Sequence, residues 1–122
     1  MAQDFYDLLV WNKAIEPSVC IYKLTKPFPK EEMYGLVSQM RRASVSIASN
    51  IAEGLGRLSP AEFRQLLAFA QGSAFELKTQ LLVAQKLGMA NGKSLEEAEH
   101  LSDEVSKMLR SSIQTLRMKA KG

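Results

Sequence analysis

Apolar residues recur through most of this chain at alternating steps of four and three, the period of one face of an α-helix. Three stripes are clear: Met33, Val37, Met40, Ser44, Ile47, Ile51; then Phe63, Leu67, Ala70, Ala74, Leu77, Leu81, Ala84; then Ala98, Leu101, Val105, Met108, Ser112. A weaker series, Leu8, Trp11, Ile15, Ser18 and Tyr22, comes first, and Pro17 falls inside it. A proline there removes one backbone hydrogen bond and is expected to kink the helix. No stretch alternates with the period of a strand.

The breaks between stripes carry turn and capping chemistry. Pro27 and Pro29 bracket Phe28, which forces an extended or turning backbone. Gly54 and Gly56 close the second stripe, where glycine commonly adopts the left-handed conformation that ends a helix. Ser59-Pro60-Ala61-Glu62 has the form of a capping box, with proline at the first helical position. Gly88 to Gly92 marks the third break, and Ser94-Leu95-Glu96-Glu97 repeats the capping pattern. The pattern predicts helices near 7–26, 31–54, 60–88 and 95–119. Short loops return each helix beside the last, so the expected fold is all-α: an antiparallel up-down-up-down four-helix bundle, one domain over residues 1–122. Phe63, Leu67, Leu77 and Ile47 are expected core residues.

The second helix is apolar around most of its circumference, because Leu36, Ala43, Val45, Ala48, Ala52 and Leu55 flank its main stripe. One explanation is that it lies deepest in its own bundle. The other is a second buried face against another subunit, with Leu36 and Val45 as the candidate interface.

Composition adds limits. The 122 residues carry a formal charge of +3, which permits nucleic-acid contact without demanding it. No apolar run reaches the roughly 18 residues of a membrane span, and the first residues lack the basic start and apolar core of a signal peptide. A single cysteine, Cys20, excludes an intrachain disulfide. A soluble, cytoplasmic protein with Cys20 as a small buried hydrophobe is therefore expected.

Catalytic chemistry finds no support. Glu97-x-x-His100 resembles half of a di-metal ligand set, but His100 is the only histidine and falls on the polar side of its helix. With one imidazole, a second metal-binding pair is impossible within this chain. Nothing places His100 beside a serine nucleophile, and Gly54-Leu55-Gly56-Arg57 lacks the strand and lysine of a phosphate loop. No enzyme, metal, cofactor or small-molecule substrate is expected.

Two polar features remain. Arg42, Ser46, Ser49, Asn50 and Glu53 follow one helical stripe, with Arg57 just beyond. They form either a structural network, with Glu53 meeting Arg42 or Arg57, or a groove offering Arg41, Arg42, Arg57 and Arg64 to phosphates. The last helix is polarised, with Glu96, Glu97, Glu99, Asp103 and Glu104 early, and Lys107, Arg110, Arg117, Lys119 and Lys121 late. Complementing the helix dipole explains this, yet Arg110, Gln114, Arg117 and Lys121 also form a stripe suited to a phosphate backbone.

The run Gln39-Met40-Arg41-Arg42-Ala43-Ser44-Val45-Ser46-Ile47, continuing Ser49-Asn50-Ile51-Ala52-Glu53-Gly54, resembles the signature of the 23S rRNA intervening-sequence protein family. Asp7-Leu8-Leu9-Val10-Trp11, Phe28-Pro29, Tyr34-Gly35-Leu36, Glu62-Phe63 and Gly72-Ser73-Ala74-Phe75-Glu76-Leu77 are similar too, and the likeness extends over roughly residues 5 to 115. The resemblance implies a bundle that assembles as a ring-shaped homopentamer without enzymatic activity. It also implies a relation to the basic accessory variability proteins of retroelements, which bind nucleic acid and partner a reverse transcriptase. Two function classes follow: a binding or accessory protein for RNA or DNA, or an oligomeric scaffold that recruits a protein partner without nucleic acid.

Overall fold

Alternating three- and four-residue spacing makes each amphipathic segment bury one stripe, and four such stripes close around a shared interior. The computed structural model describes residues 5–121, and side chains for residues 5–119. Its helices are α1 (Phe5–Thr25), α2 (Leu36–Leu55), α3 (Pro60–Lys86) and α4 (Gly92–Lys121), with a short 3-10 helix at Lys30–Glu32 before α2. No strand occurs among the described residues. α1 packs on α2 and α4, and α3 packs on α2 and α4; the diagonal pairs have no close backbone approach. Cross-contacts fix the antiparallel register: Lys13 meets Glu104 while Cys20 meets Glu97, and Gln71 meets Ser106 while Lys78 meets Asp103. None of the helices is long and apolar enough to cross a membrane, among the described residues.

The core holds Met40, Ile47 and Ile51 of α2, Phe63, Leu67, Leu77 and Leu81 of α3, and Val105 and Leu109 of α4, all buried. Alanines at 14, 43, 70, 74, 84 and 98 are buried among them, where a larger side chain would have to displace packed neighbours.

Four local expectations need correction. α2 starts at Leu36 rather than 31: Lys30–Glu32 winds as a tighter turn, and Glu32 Oε1 then accepts the N–H of Leu36 at 3.3 Å, satisfying an orphan donor of the true helix start. Met33 consequently lies outside the stripe and is exposed. Gly54 and Gly56 do not take left-handed backbones; among the described residues only Gly88 and Gly92 have positive φ. α2 ends instead with tight bonds from Gly56 N to Glu53 O and from Arg57 N to Gly54 O. The left-handed ending occurs after α3, where Gly88 donates to Gln85 O and Met89 to Ala84 O, both at 2.9 Å, the paired bonds of a Schellman motif. α4 begins at Gly92, so Ser94 lies within it rather than capping it. Ser59 does cap α3, accepting from Ala61 N and Glu62 N.

The largest departure is in α1. Its buried face is Val10, Ala14, Pro17, Cys20, Ile21 and Leu24, not the series through Leu8, Ile15 and Tyr22. At 100° per residue the two sets point to roughly opposite sides. Pro17 is fully buried, and the helix continues through it. α2, by contrast, sits deep: Leu36, Ala48 and Leu55 pack against the core, and Ala43 is buried. Leu36 therefore faces its own bundle, while Val45 stays exposed.

Candidate functional site

The polar stripe of α2 divides into separate pieces. Ser46 and Ser73 hydroxyls meet at 2.9 Å, tying α2 to α3, and Asn50 Nδ2 donates to Ser46 O at 2.8 Å and to Ser46 Oγ at 3.0 Å. Glu53 pairs with Arg57 at 3.3 Å across one turn, with both side chains exposed. Arg42 and Ser49 are exposed and have no hydrogen bond or ion pair among the described residues. The half-buried Ser46–Asn50–Ser73 cluster is the structural part; the rest of the stripe meets water.

The arginines also separate. Arg41 and Arg42 lie near the start of α2, whereas Arg57 follows its end, 16 residues and about 24 Å further along the axis. One groove cannot present Arg41, Arg42, Arg57 and Arg64 together. Two basic regions result instead.

The first lies between α1 and α2. The half-buried Arg41 has its guanidinium over the ring of Tyr22, 4.6 Å from the centroid, while its Nε donates to Thr25 Oγ1 at 3.0 Å. Thr25 in turn donates to Ile21 O at 2.7 Å, so the acceptor is itself held. Tyr22, Tyr34, Arg41, Arg42, Ser38 and Ser49 line a hollow of about 660 Å³, and no carboxylate lines it.

The second is the opposite end of the bundle. Arg110, Ile113, Gln114, Arg117 and Met118 border an open groove of about 550 Å³ on α4. The register set by Gln71–Ser106 and Lys78–Asp103 brings Arg64 of α3 level with residues 113–117. Lys119 borders a smaller neighbouring hollow with Tyr6 and Ser112. Arg64, Arg110, Arg117 and Lys119 have no ion pair among the described residues, unlike Lys13, Arg57 and Lys78. The side chain of Lys121 lies outside the described residues.

No cluster of metal-ligating side chains occurs among the described residues, and His100 is exposed. Cys20 is buried and donates to Glu97 Oε1 at 3.5 Å. Burial first, and then the adjacent carboxylate, push its thiol from 9.0 up to about 11, the opposite of an activated nucleophile.

Two features escaped the sequence reading: the Arg41–Tyr22 stack and the apolar outer surfaces. Tyr22 keeps the step of an apolar series on α1, although it is exposed and its partner Arg41 stands on a different helix. On α1 the signal was present, since Val10, Ala14, Pro17, Ile21 and Leu24 keep helical steps without a polar interruption, whereas the other series contains Ser18.

An antiparallel four-helix bundle with basic regions, and with no metal or nucleophile cluster among its described residues, defines the class. A family model for 23S rRNA-intervening sequence protein matches residues 6–111, and the chain belongs to that family. A solved structure from Bacteroides thetaiotaomicron, described as a protein of unknown function from the S23 ribosomal protein family, is 28% identical. It superposes with a TM-score of 0.82 over 90% of this chain and 99% of its own. No curated protein matches.

Proposed function

We propose that this protein is a non-enzymatic, nucleic-acid-associated binding protein that works as a homo-oligomeric ring. The observation that carries the reading is the collection of Arg64, Arg110, Arg117 and Lys119 at one end of the bundle without ion-pair partners among the described residues. The guanidinium groups of Arg64, Arg110 and Arg117 on the α3 side of α4 suit a phosphate backbone, with Lys119 on the α1 side at the same end, and such contacts give affinity with little sequence preference. The family's name associates it with intervening sequences of 23S rRNA. RNA is thus the first ligand to test and duplex DNA the second, with a reverse transcriptase as a candidate protein partner.

Assembly supplies what one modestly charged chain lacks. Leu8, Ile15 and Val19 on α1, and Phe69, Phe75, Leu82 and Val83 on α3, are exposed apolar side chains on two different helices. Two unlike patches suit a head-to-tail contact, which forms a ring when its rotation closes. The resemblance implies closure at five, and five copies of a weak basic end would act together. These surfaces on α1 and α3 replace Leu36 as interface candidates.

Light scattering and gel shift test the reading together. A pentamer that retards structured RNA at low salt, with retardation abolished by Arg110→Glu/Arg117→Glu, is the expected result. A ring with no affinity for RNA or duplex DNA would instead favour a scaffold for a protein partner, an alternative that the same apolar surfaces support. A stable monomer would remove the assembly.

A further inference from the structure

We infer that the hollow between α1 and α2 is a stacking site for single-stranded nucleic acid, in which Tyr34 receives a base and Arg41 and Arg42 receive the adjoining phosphate. The inference deepens the nucleic-acid reading and rests on it, but it concerns a different surface from the basic end.

Three observations carry it. Tyr34 is 96% exposed, so its ring has almost no apolar cover within the chain. A tyrosine left in water on a turn at the mouth of a groove offers a flat π-face to any ring that enters. Secondly, Arg41 is preorganised: stacking on Tyr22 and the bond to Thr25 Oγ1 restrain its guanidinium before any ligand arrives. Its Nε is used, while no carboxylate or hydrogen-bond acceptor takes its terminal nitrogens among the described residues. Thirdly, Arg42 is exposed beside it without a partner. Glu32, on the neighbouring turn, accepts the backbone N–H of Leu36 on Oε1 and does not line the hollow.

A ligand that satisfies these groups must combine negative charge with a planar ring. A nucleotide unit does so: aromatic side chains stack bases of any sequence, and arginine neutralises the backbone. The hollow, about 660 Å³, is large enough for such a unit, within the range typical of small-ligand sites. It is open to solvent rather than enclosed, which suits one unit of a strand rather than a buried mononucleotide. Duplexes stack their bases internally and offer none to Tyr34, so this site selects single strands, whereas the basic end accepts either form.

The test compares a fluorescein-labelled twelve-residue oligouridylate, a duplex RNA of equal length, uridine monophosphate as competitor and an acidic Glu-Tyr copolymer. Binding is read by anisotropy. Tyr34→Ala is expected to weaken oligouridylate binding about tenfold and leave duplex binding unchanged, since base stacking on one aromatic is worth roughly that factor. Tyr34→Phe should retain tight binding, and Arg42→Ala should weaken the oligouridylate by several-fold. Because Tyr34 is exposed, its replacement leaves the core intact. Oligouridylate binding that is indifferent to Tyr34→Ala, while Arg110→Glu/Arg117→Glu abolishes it, overturns this inference and leaves the broader reading standing. Competition by uridine monophosphate as strong as by the strand, or Tyr34-dependent binding of the copolymer in place of RNA, would also overturn it.

Discussion

A methyl group on Gly54 would stand 2.7 Å from Cδ1 of Phe63 and 3.3 Å from Cβ of Leu66. Phe63 is buried one turn into α3, so relief requires moving an aromatic ring already in the core. Gly54 thus sets how closely the end of α2 approaches α3. An exposed helical Gly→Ala change gains about 1 kcal/mol in propensity, while overpacking costs about 1–3 kcal/mol. Gly54→Ala is expected to lower stability by about 1 kcal/mol in urea unfolding; a stabilised variant would contradict the close approach.

The two faces of α1 give a paired test. Ile21 is fully buried, whereas Ile15 is 38% exposed. Ile21→Ala should cost about 2–5 kcal/mol as a core cavity. Ile15→Ala should leave the fold of each subunit nearly unchanged and weaken oligomerisation, measured by sedimentation. Equal losses of stability would mean that the two faces had been confused.

That confusion shows how far the chain's pattern could be read. The α3 stripe from Phe63 to Ala84 is buried throughout, although Phe69, Phe75, Leu82 and Val83 leave apolar residues outside it. On α1 both faces are apolar and share one period, so the step alone does not choose between them; the series without a polar interruption, Val10, Ala14, Pro17, Ile21 and Leu24, is the one that packs against α2 and α4. Likewise, adjacency in sequence grouped Arg41, Arg42, Arg57 and Arg64, but α2 is straight enough to carry the first pair away from the others. Arg64, Arg110 and Arg117 stand on two helices, and their shared level follows from a register that no single helix encodes.

Of the two partners the sequence offers Glu53, Arg42 and Arg57, it pairs with Arg57, and the pair is exposed on both sides. Surface pairs one helical turn apart contribute about 0.3–0.5 kcal/mol. Glu53→Ala should therefore shift the thermal midpoint only slightly. A loss above about 2 kcal/mol would contradict the exposed pairing.

Cys20 gives a pH-dependent prediction. Its thiol titrates near 11 in the folded chain against 9.0 ordinarily, because burial and then Glu97 disfavour the thiolate. The unfolded chain therefore releases this proton first. The group's contribution to stability is complete below pH 9 and declines as pH rises towards 11. Native protein at pH 8 should react with a disulfide reagent far more slowly than urea-unfolded protein. Equal rates would contradict the buried, carboxylate-facing thiol.

The central claim is that the basic end of the bundle holds nucleic acid through its phosphates, and salt dependence tests it most directly. Arg64, Arg110 and Arg117 supply three cations on one side of α4, which corresponds to a slope of log affinity against log salt of about −2 to −3 for one engaged subunit. Anisotropy titrations of a structured RNA between 50 and 200 mM salt, roughly the range over which counterion release is strongest, should give a slope at least that steep. Arg110→Glu/Arg117→Glu should lose most of the affinity and flatten the slope for every RNA sequence alike. Absence of binding at the lowest salt, or a slope unchanged in the double variant, would contradict the claim.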